Sequence, residues 1–193
     1  MPSKDFVLFL DLECTGNKDT DHIIEIGLVM VRRQPNLEEV DRKNIILPVW
    51  QEEIDAADQV VIDMHTKSGL WTDSLAAGEG LTPDARPAIL KELDLYLAGW
   101  MKNFSKKSHI LLAGSGVAWY DRYYIKRDLP FFNSTLTYKV ADMSSTREML
   151  NIANVKLPSS YFGFKSHRAV EDAAMHAQEV RDFIKFVQRR ELW

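Results

Sequence analysis

The chain has 193 residues, of which 46% are hydrophobic, with a formal net charge of −4 and one cysteine. This length and apolar content support a single compact domain over 1–193 with a sizeable core; the acidic balance excludes a broadly basic nucleic-acid coat, and one thiol excludes an internal disulfide. No stretch approaches the length of a membrane span and the opening MPSKDF lacks a secretion-signal pattern, so a reducing, cytoplasmic setting and no membrane partner are expected.

The predicted elements alternate in type. Phe6–Leu12 is a strand. Ile23–Arg33 is a second, with Ile24, Ile26, Leu28 and Met30 on one face, and Asn44–Val49 a short third; loops rich in turn residues join them into an antiparallel meander. Gln51–Gly80 is less regular, helix and then loop. Thr82-Pro83 offers an N-cap with proline at the first helical position, and Ile89, Leu90, Leu93, Leu97, Trp100 and Met101 follow at helical spacing. His109–Ala113 is a short buried strand, Trp119–Asp128 a helix that stops before Pro130, and Thr137–Ala141 a last strand. Ser145 with Glu148 suggests a capping box. An amphipathic helix runs from His167 to Arg190, with Ala169, Ala173, Ala177, Val180, Ile184 and Val187 as its stripe. The order predicts an α/β domain on a mixed five-stranded sheet flanked by helices.

The first strand ends unexpectedly. In FVLFLDLECTG, Asp11 and Glu13 stand where core residues would continue. Alternation puts both on one face, roughly 6–7 Å apart at their Cα atoms. Buried unpaired carboxylates do not stay ionised, so either a cation lies between them or the strand end is open to water. Asp121 falls just inside the helix that follows a short buried strand. His167 precedes Asp172 by five residues, a rotation of about 140° on a helix, which places His167 in the loop before the helix and Asp172 in its first turn. Four carboxylates suit hard divalent cations, and a histidine suits proton removal near neutral pH.

Together, "DLECTG", "HIIEIGLVMV", "MHTKSGL", "DRYYIKRDLP", "YKVADMSS" and "HRAVEDA" resemble the DEDD exonuclease superfamily in its histidine variant, and within it most resemble oligoribonuclease, from Phe6 to about Val180. The resemblance implies a ribonuclease-H-like fold and two Mg²⁺ or Mn²⁺ ions. It implies 3′→5′ release of nucleoside 5′-monophosphates from single-stranded RNA or DNA, and a homodimer. It also implies that Asp11, Glu13, Asp121 and Asp172 are metal ligands, that His167 is the general base, and that His65, Ser68, Thr15, Gly16, Lys139 and Ser144 lie on the substrate. The chain departs from the family's short-RNA pocket. Asn17 replaces a wedging leucine, Val60 a tryptophan and Lys139 an arginine, and Gly114-Ser115-Gly116 is followed by one extra residue before Asp121. Oligonucleotides longer than two residues are therefore the expected substrates.

Each residue also has a structural reading. Asp121 and Asp172 suit helix N-termini, and Asp142 is a competing acid whose neighbours Ser144 and Ser145 suggest capping or substrate positioning. Cys14 among acids should stay protonated and pack. His22, His109 and His176 read as surface or packing residues, and Lys102, Lys106 and Lys107 as a solvated face. Trp50, Trp71 and Trp119 serve either base stacking or the core. Two other functions fit the acids: a non-catalytic nucleic-acid-binding module, and a metal phosphodiesterase for a small nucleotide.

Overall fold

The computed structural model describes residues 5–33, 36–105, 109–155 and 165–189. Lys106, Lys107 and Arg190 lie outside these residues. Among the described residues, five strands form one sheet in the order β3-β2-β1-β4-β5. They are β1 (Phe6–Cys14), β2 (Ile23–Arg32), β3 (Glu38–Ile46), β4 (Ile110–Gly114) and β5 (Leu136–Asp142). β1 to β3 form the expected antiparallel meander, and β4 and β5 add in parallel, which makes the sheet mixed.

The alternation of β1 sorts the core. Leu8, Leu10 and Leu12 face one side and pack with Leu97, Trp100 and Met101 of α4 (Arg86–Met101) and with Tyr124 and Ile125 of α5 (Asp121–Asp128). Val7 and Phe9 face the other side and pack with Val170, Ala173 and Ala177 of α8 (Ala169–Arg189). Each face buries a row of large apolar side chains, the main favourable term in holding the layers together. Among the described residues no helix is long and apolar enough to cross a membrane.

Several boundaries differ from the sequence reading. β3 spans Glu38–Ile46 rather than 44–49, because pairing with β2 outweighs the polar run EEVDRKN; Leu47 and Val49 are buried but follow the strand. The stretch expected to be helix and then loop forms three short helices, α1 (Gln51–Asp55), α2 (Gln59–Ser68) and α3 (Leu70–Ala77), with Gly69 at φ 76° turning the chain between α2 and α3. Thr82 makes no side-chain cap; Pro83–Ala85 forms a 3₁₀ turn that leads into α4. The helix expected from Trp119 starts at Asp121, and α6 (Pro130–Ser134) follows it. The cap of α7 (Met143–Ile152) is Asp142, not Ser145. The last helix begins at Ala169 rather than at His167, which leaves His167 in the preceding loop, as its five-residue spacing to Asp172 implied.

Candidate active site

The odd-numbered row of β1 changes character where the start of α8 crosses the sheet. Val7 and Phe9 lie under the helix; Asp11 and Glu13 continue the row at 6% and 7% exposure. Opposite them on β2 stand Gly27 and Glu25. A Cβ at Gly27 would lie 2.0 Å from the Ala169 carbonyl carbon, so glycine is what lets the first turn of α8 press against the sheet. Glu25 is fully buried and accepts from the Ala169 N–H at 2.8 Å and from Arg168 Nη2 at 3.0 Å. Arg168 also reaches Asp73 of α3 at 2.9 Å.

This clamp sets the loop before α8. His167 sits at φ 56°, an uncommon conformation for a residue with a side chain. Asp172, 1% exposed, accepts from the Ser166 N–H at 2.9 Å, the Ser166 hydroxyl at 3.0 Å and the His167 N–H at 3.3 Å. As a result Glu13, His167 and Asp172 each offer a ligand atom within 4.8 Å of the others.

Asp121 arrives from the other side of β1. It opens α5, 3% exposed, and its Oδ1 accepts from the Leu12 N–H at 2.8 Å, which ties the helix start to the acidic end of the strand. The loop leading to it is pinned by Asp142, which accepts from Gly116 N–H at 3.1 Å and Ala118 N–H at 2.9 Å. The same carboxylate accepts from the Ser144 hydroxyl at 2.6 Å and from the Ser144 and Ser145 N–H groups. Burial works against its ionisation, but these hydrogen bonds outweigh burial and hold its carboxyl below the ordinary range. Asp142 is thus a clamp on a helix and a loop.

Asp11, Glu13, Asp121, His167 and Lys165 line one cleft of about 570 Å³, with Asn17, Val60, Val61, Met64, Trp119 and Tyr120 continuing its wall. Burial, with repulsion from Asp11 and Asp172, pushes the Glu13 carboxyl up to about 9. Burial and Asp11 push Asp121 well above the carboxylate range. Lys165 partly offsets this for both. Such a site is unfavourable when all its acids are charged and nothing positive lies among them. Hard oxygen donors crowded at this depth fit a divalent cation.

The other expected residues divide. His65 of α2 is fully buried; its Nε2 lies 3.0 Å from the Cys14 carbonyl and its Nδ1 3.9 Å from Glu13, so it braces the site from beneath. Burial pushes its pKa down. The Ser68 hydroxyl donates to the His65 carbonyl at 3.4 Å beside an adjoining cleft shared with His167. Gly16 lines the acidic cleft, whereas the Thr15 hydroxyl is engaged with Asp21 and the His22 N–H. Lys139, on the sheet-edge strand β5, and Ser144, at the start of α7, stand outside the acidic cleft. Cys14 is buried, and burial together with Asp121 pushes its thiol up, which leaves it a packing residue. Three residues were missed. Glu25 and Arg168 lie inside the quoted motifs but gave no sign of pairing across the chain. His176 is buried as a packing residue would be, yet it stands 3.5 Å from Asp11, and only its i,i+3 spacing to Glu179 hinted at an ion pair.

No family model matches the chain. It is 30% identical over 183 residues to an oligoribonuclease of Mycobacterium sp. (strain KMS), covering 92% of this chain and 79% of that one. The chain belongs to the oligoribonuclease family. An oligoribonuclease of Rhodococcus jostii (strain RHA1) is 28% identical over 189 residues, covering 94% and 87%. Membership in the oligoribonuclease family makes the chain a hydrolase of the DEDD type with histidine, a 3′→5′ exonuclease. Among solved structures it is similar to E. coli exonuclease I in a complex with single-stranded DNA, with a TM-score of 0.59 at 12% identity, covering 98% of this chain. A second exonuclease I structure, with a 13-residue oligonucleotide, gives 0.57 at 12%, covering 97% of this chain. These likenesses establish the ribonuclease-H-like fold; the chain spans 41% and 42% of those longer proteins.

Proposed function

We propose that this chain is a metal-dependent 3′→5′ exonuclease that removes nucleoside 5′-monophosphates from single-stranded oligonucleotides longer than two residues, RNA or DNA. The observation that carries the reading is the convergence of Glu13, His167 and Asp172 ligand atoms within 4.8 Å in a site that also gathers Asp11 and Asp121.

Asp11, Glu13, Asp121 and Asp172 would hold two divalent cations, Mg²⁺ or Mn²⁺. When bound, such a pair stabilises charge on the attacking and leaving oxygens of an in-line displacement at phosphorus. A ring nitrogen of His167 accepts a proton from the attacking water. The water oxygen bonds to phosphorus as the P–O3′ bond breaks; the shortened strand departs with its 3′ oxygen, which takes a proton from solvent, and the 5′-monophosphate is released. Lys165, at the cleft mouth, balances carboxylate charge and attracts the phosphodiester. Thr15 and Gly16 shape the floor beside Glu13, and His65 and Ser68 brace α2 against it. Lys139 and Ser144 would reach substrate only through a longer strand or a second copy of the chain, as in a homodimer.

Substrate length follows from Asn17 and Val60. Both line the cleft, and a polar Asn17 with a small, 79% exposed Val60 supports a site that does not grip both bases of a dinucleotide. The test is competition at fixed salt between a 5′-labelled dinucleotide and longer RNA and DNA strands, with and without chelator. Faster cleavage of the longer strands and loss of activity in chelator support the reading. A strong preference for the dinucleotide overturns the length assignment and makes the chain an oligoribonuclease in the strict sense.

A further inference from the structure

We propose that Trp119 is a nucleobase-stacking platform at the mouth of the acidic cleft, taking a base of a bound single strand. This rests on the nuclease reading above and extends it to substrate recognition.

Trp119 is 73% exposed, whereas Trp71 and Trp100 are buried. Trp50 is covered by Arg86 at 4.7 Å. The Trp119 ring lines the same cleft as Asp11, Glu13 and Asp121. It is also held at a set position. Asp142 fixes Gly116 and Ala118 just before it, Gly116 turns at φ 80°, and the Trp119 N–H returns to the Gly116 carbonyl at 3.4 Å. Tyr120 meets the ring edge-on at 5.8 Å and donates its own hydroxyl to the Gly16 carbonyl at 2.8 Å. The backbone is therefore ordered while the indole face remains open.

The cleft has two chemical regions. Carboxylates, Lys165 and His167 suit a phosphodiester; Trp119, Val60, Val61 and Met64 suit a flat apolar group. A nucleotide carries both, joined by a sugar. Stacking on an indole tolerates any base and either sugar, because every base has a π-face. It also requires an unpaired base, which selects single strands.

The test pairs Trp119→Ala and Trp119→Phe with labelled pentanucleotides that are intact or abasic at one of the two 3′-terminal positions. Trp119→Ala should raise KM about ten-fold with kcat within about two-fold, and Trp119→Phe should recover most of it. An abasic site at the stacked position should cost the wild type about ten-fold and cost Trp119→Ala nothing further. Equal abasic penalties in both proteins, or an unchanged KM, overturn the proposal. A change of oligomeric state in Trp119→Ala with KM unchanged assigns the ring to a subunit contact instead. Binding is read separately by anisotropy of labelled dA₅ with Ca²⁺ as the only divalent ion. Tight binding by the wild type with weakened binding by Trp119→Ala supports the platform even if cleavage fails, a failure that would overturn only the nuclease reading. Equal binding by the two proteins overturns the platform.

Discussion

His176 Nε2 stands 3.5 Å from Asp11 Oδ1, and Glu179 faces the other ring nitrogen at 3.6 Å. The line continues through Arg147, which donates to Glu179 at 2.8 Å and to the Ser115 hydroxyl at 2.6 Å. Burial and Lys165 oppose a charge on His176, but Asp11 and Glu179 outweigh them and raise its pKa. A raised histidine pKa stabilises the fold fully below the unfolded value, and that stability is lost as pH rises through the folded value. His176→Asn should therefore flatten the fall in Tm between about pH 6 and pH 8. His176→Ala should destabilise by about 3 kcal/mol at pH 6, measured by urea unfolding. A variant whose pH profile matches the wild type would remove His176 from this role.

The metal-free protein should be limited by its own acids. With the Glu13 carboxyl raised to about 9, its contribution to stability is complete below the ordinary glutamate pKa and declines as pH rises toward 9. Glu13→Gln should raise the Tm of chelated protein at pH 8 while abolishing hydrolysis. Mn²⁺ should raise the wild-type Tm more at pH 8 than at pH 6, because a cation competes with the proton. Thermal melts with and without chelator measure the stability effects, and release of mononucleotide from a labelled strand measures the loss of hydrolysis.

Replacing His167 by alanine should lower turnover about 10²–10⁴-fold with little change in affinity for an oligonucleotide. Single-turnover rates and anisotropy titrations separate the two. Near-normal turnover would reassign His167 to holding Asp172 through its backbone N–H.

Arg168→Ala should cost about 3 kcal/mol, because it leaves the fully buried Glu25 with the Ala169 N–H but no cation. The double variant Arg168→Ala/Glu25→Gln should recover part of that loss. Turnover should fall in the single variant as the start of α8 loosens. A single variant as stable as the wild type would show the pair to be dispensable.

The strand ending in Asp11 and Glu13, the position of His167 ahead of its helix and the first-turn Asp172 were legible because they depend on local periodicity, of two along a strand and of 3.6 along a helix. The Glu25–Arg168 clamp and the His176 contact were not, because each joins residues more than a hundred positions apart. Nothing in either local pattern marks the partner. β3 was misplaced because its outward face is polar and its pairing with β2 decides its extent. The capping box at Ser145 gave way to Asp142, whose carboxylate reaches two segments at once.

Asp11 lies on β1, the first described strand, and Asp172 lies 161 residues later on α8. A polypeptide still emerging during synthesis has its first two acids long before α5 brings Asp121 and α8 docks over Gly27 with Asp172. The fold thus carries its own delay: a half-made chain holds an incomplete set of acids and no positioned histidine. Cutting ability then appears only once α8 has docked and closed the cleft.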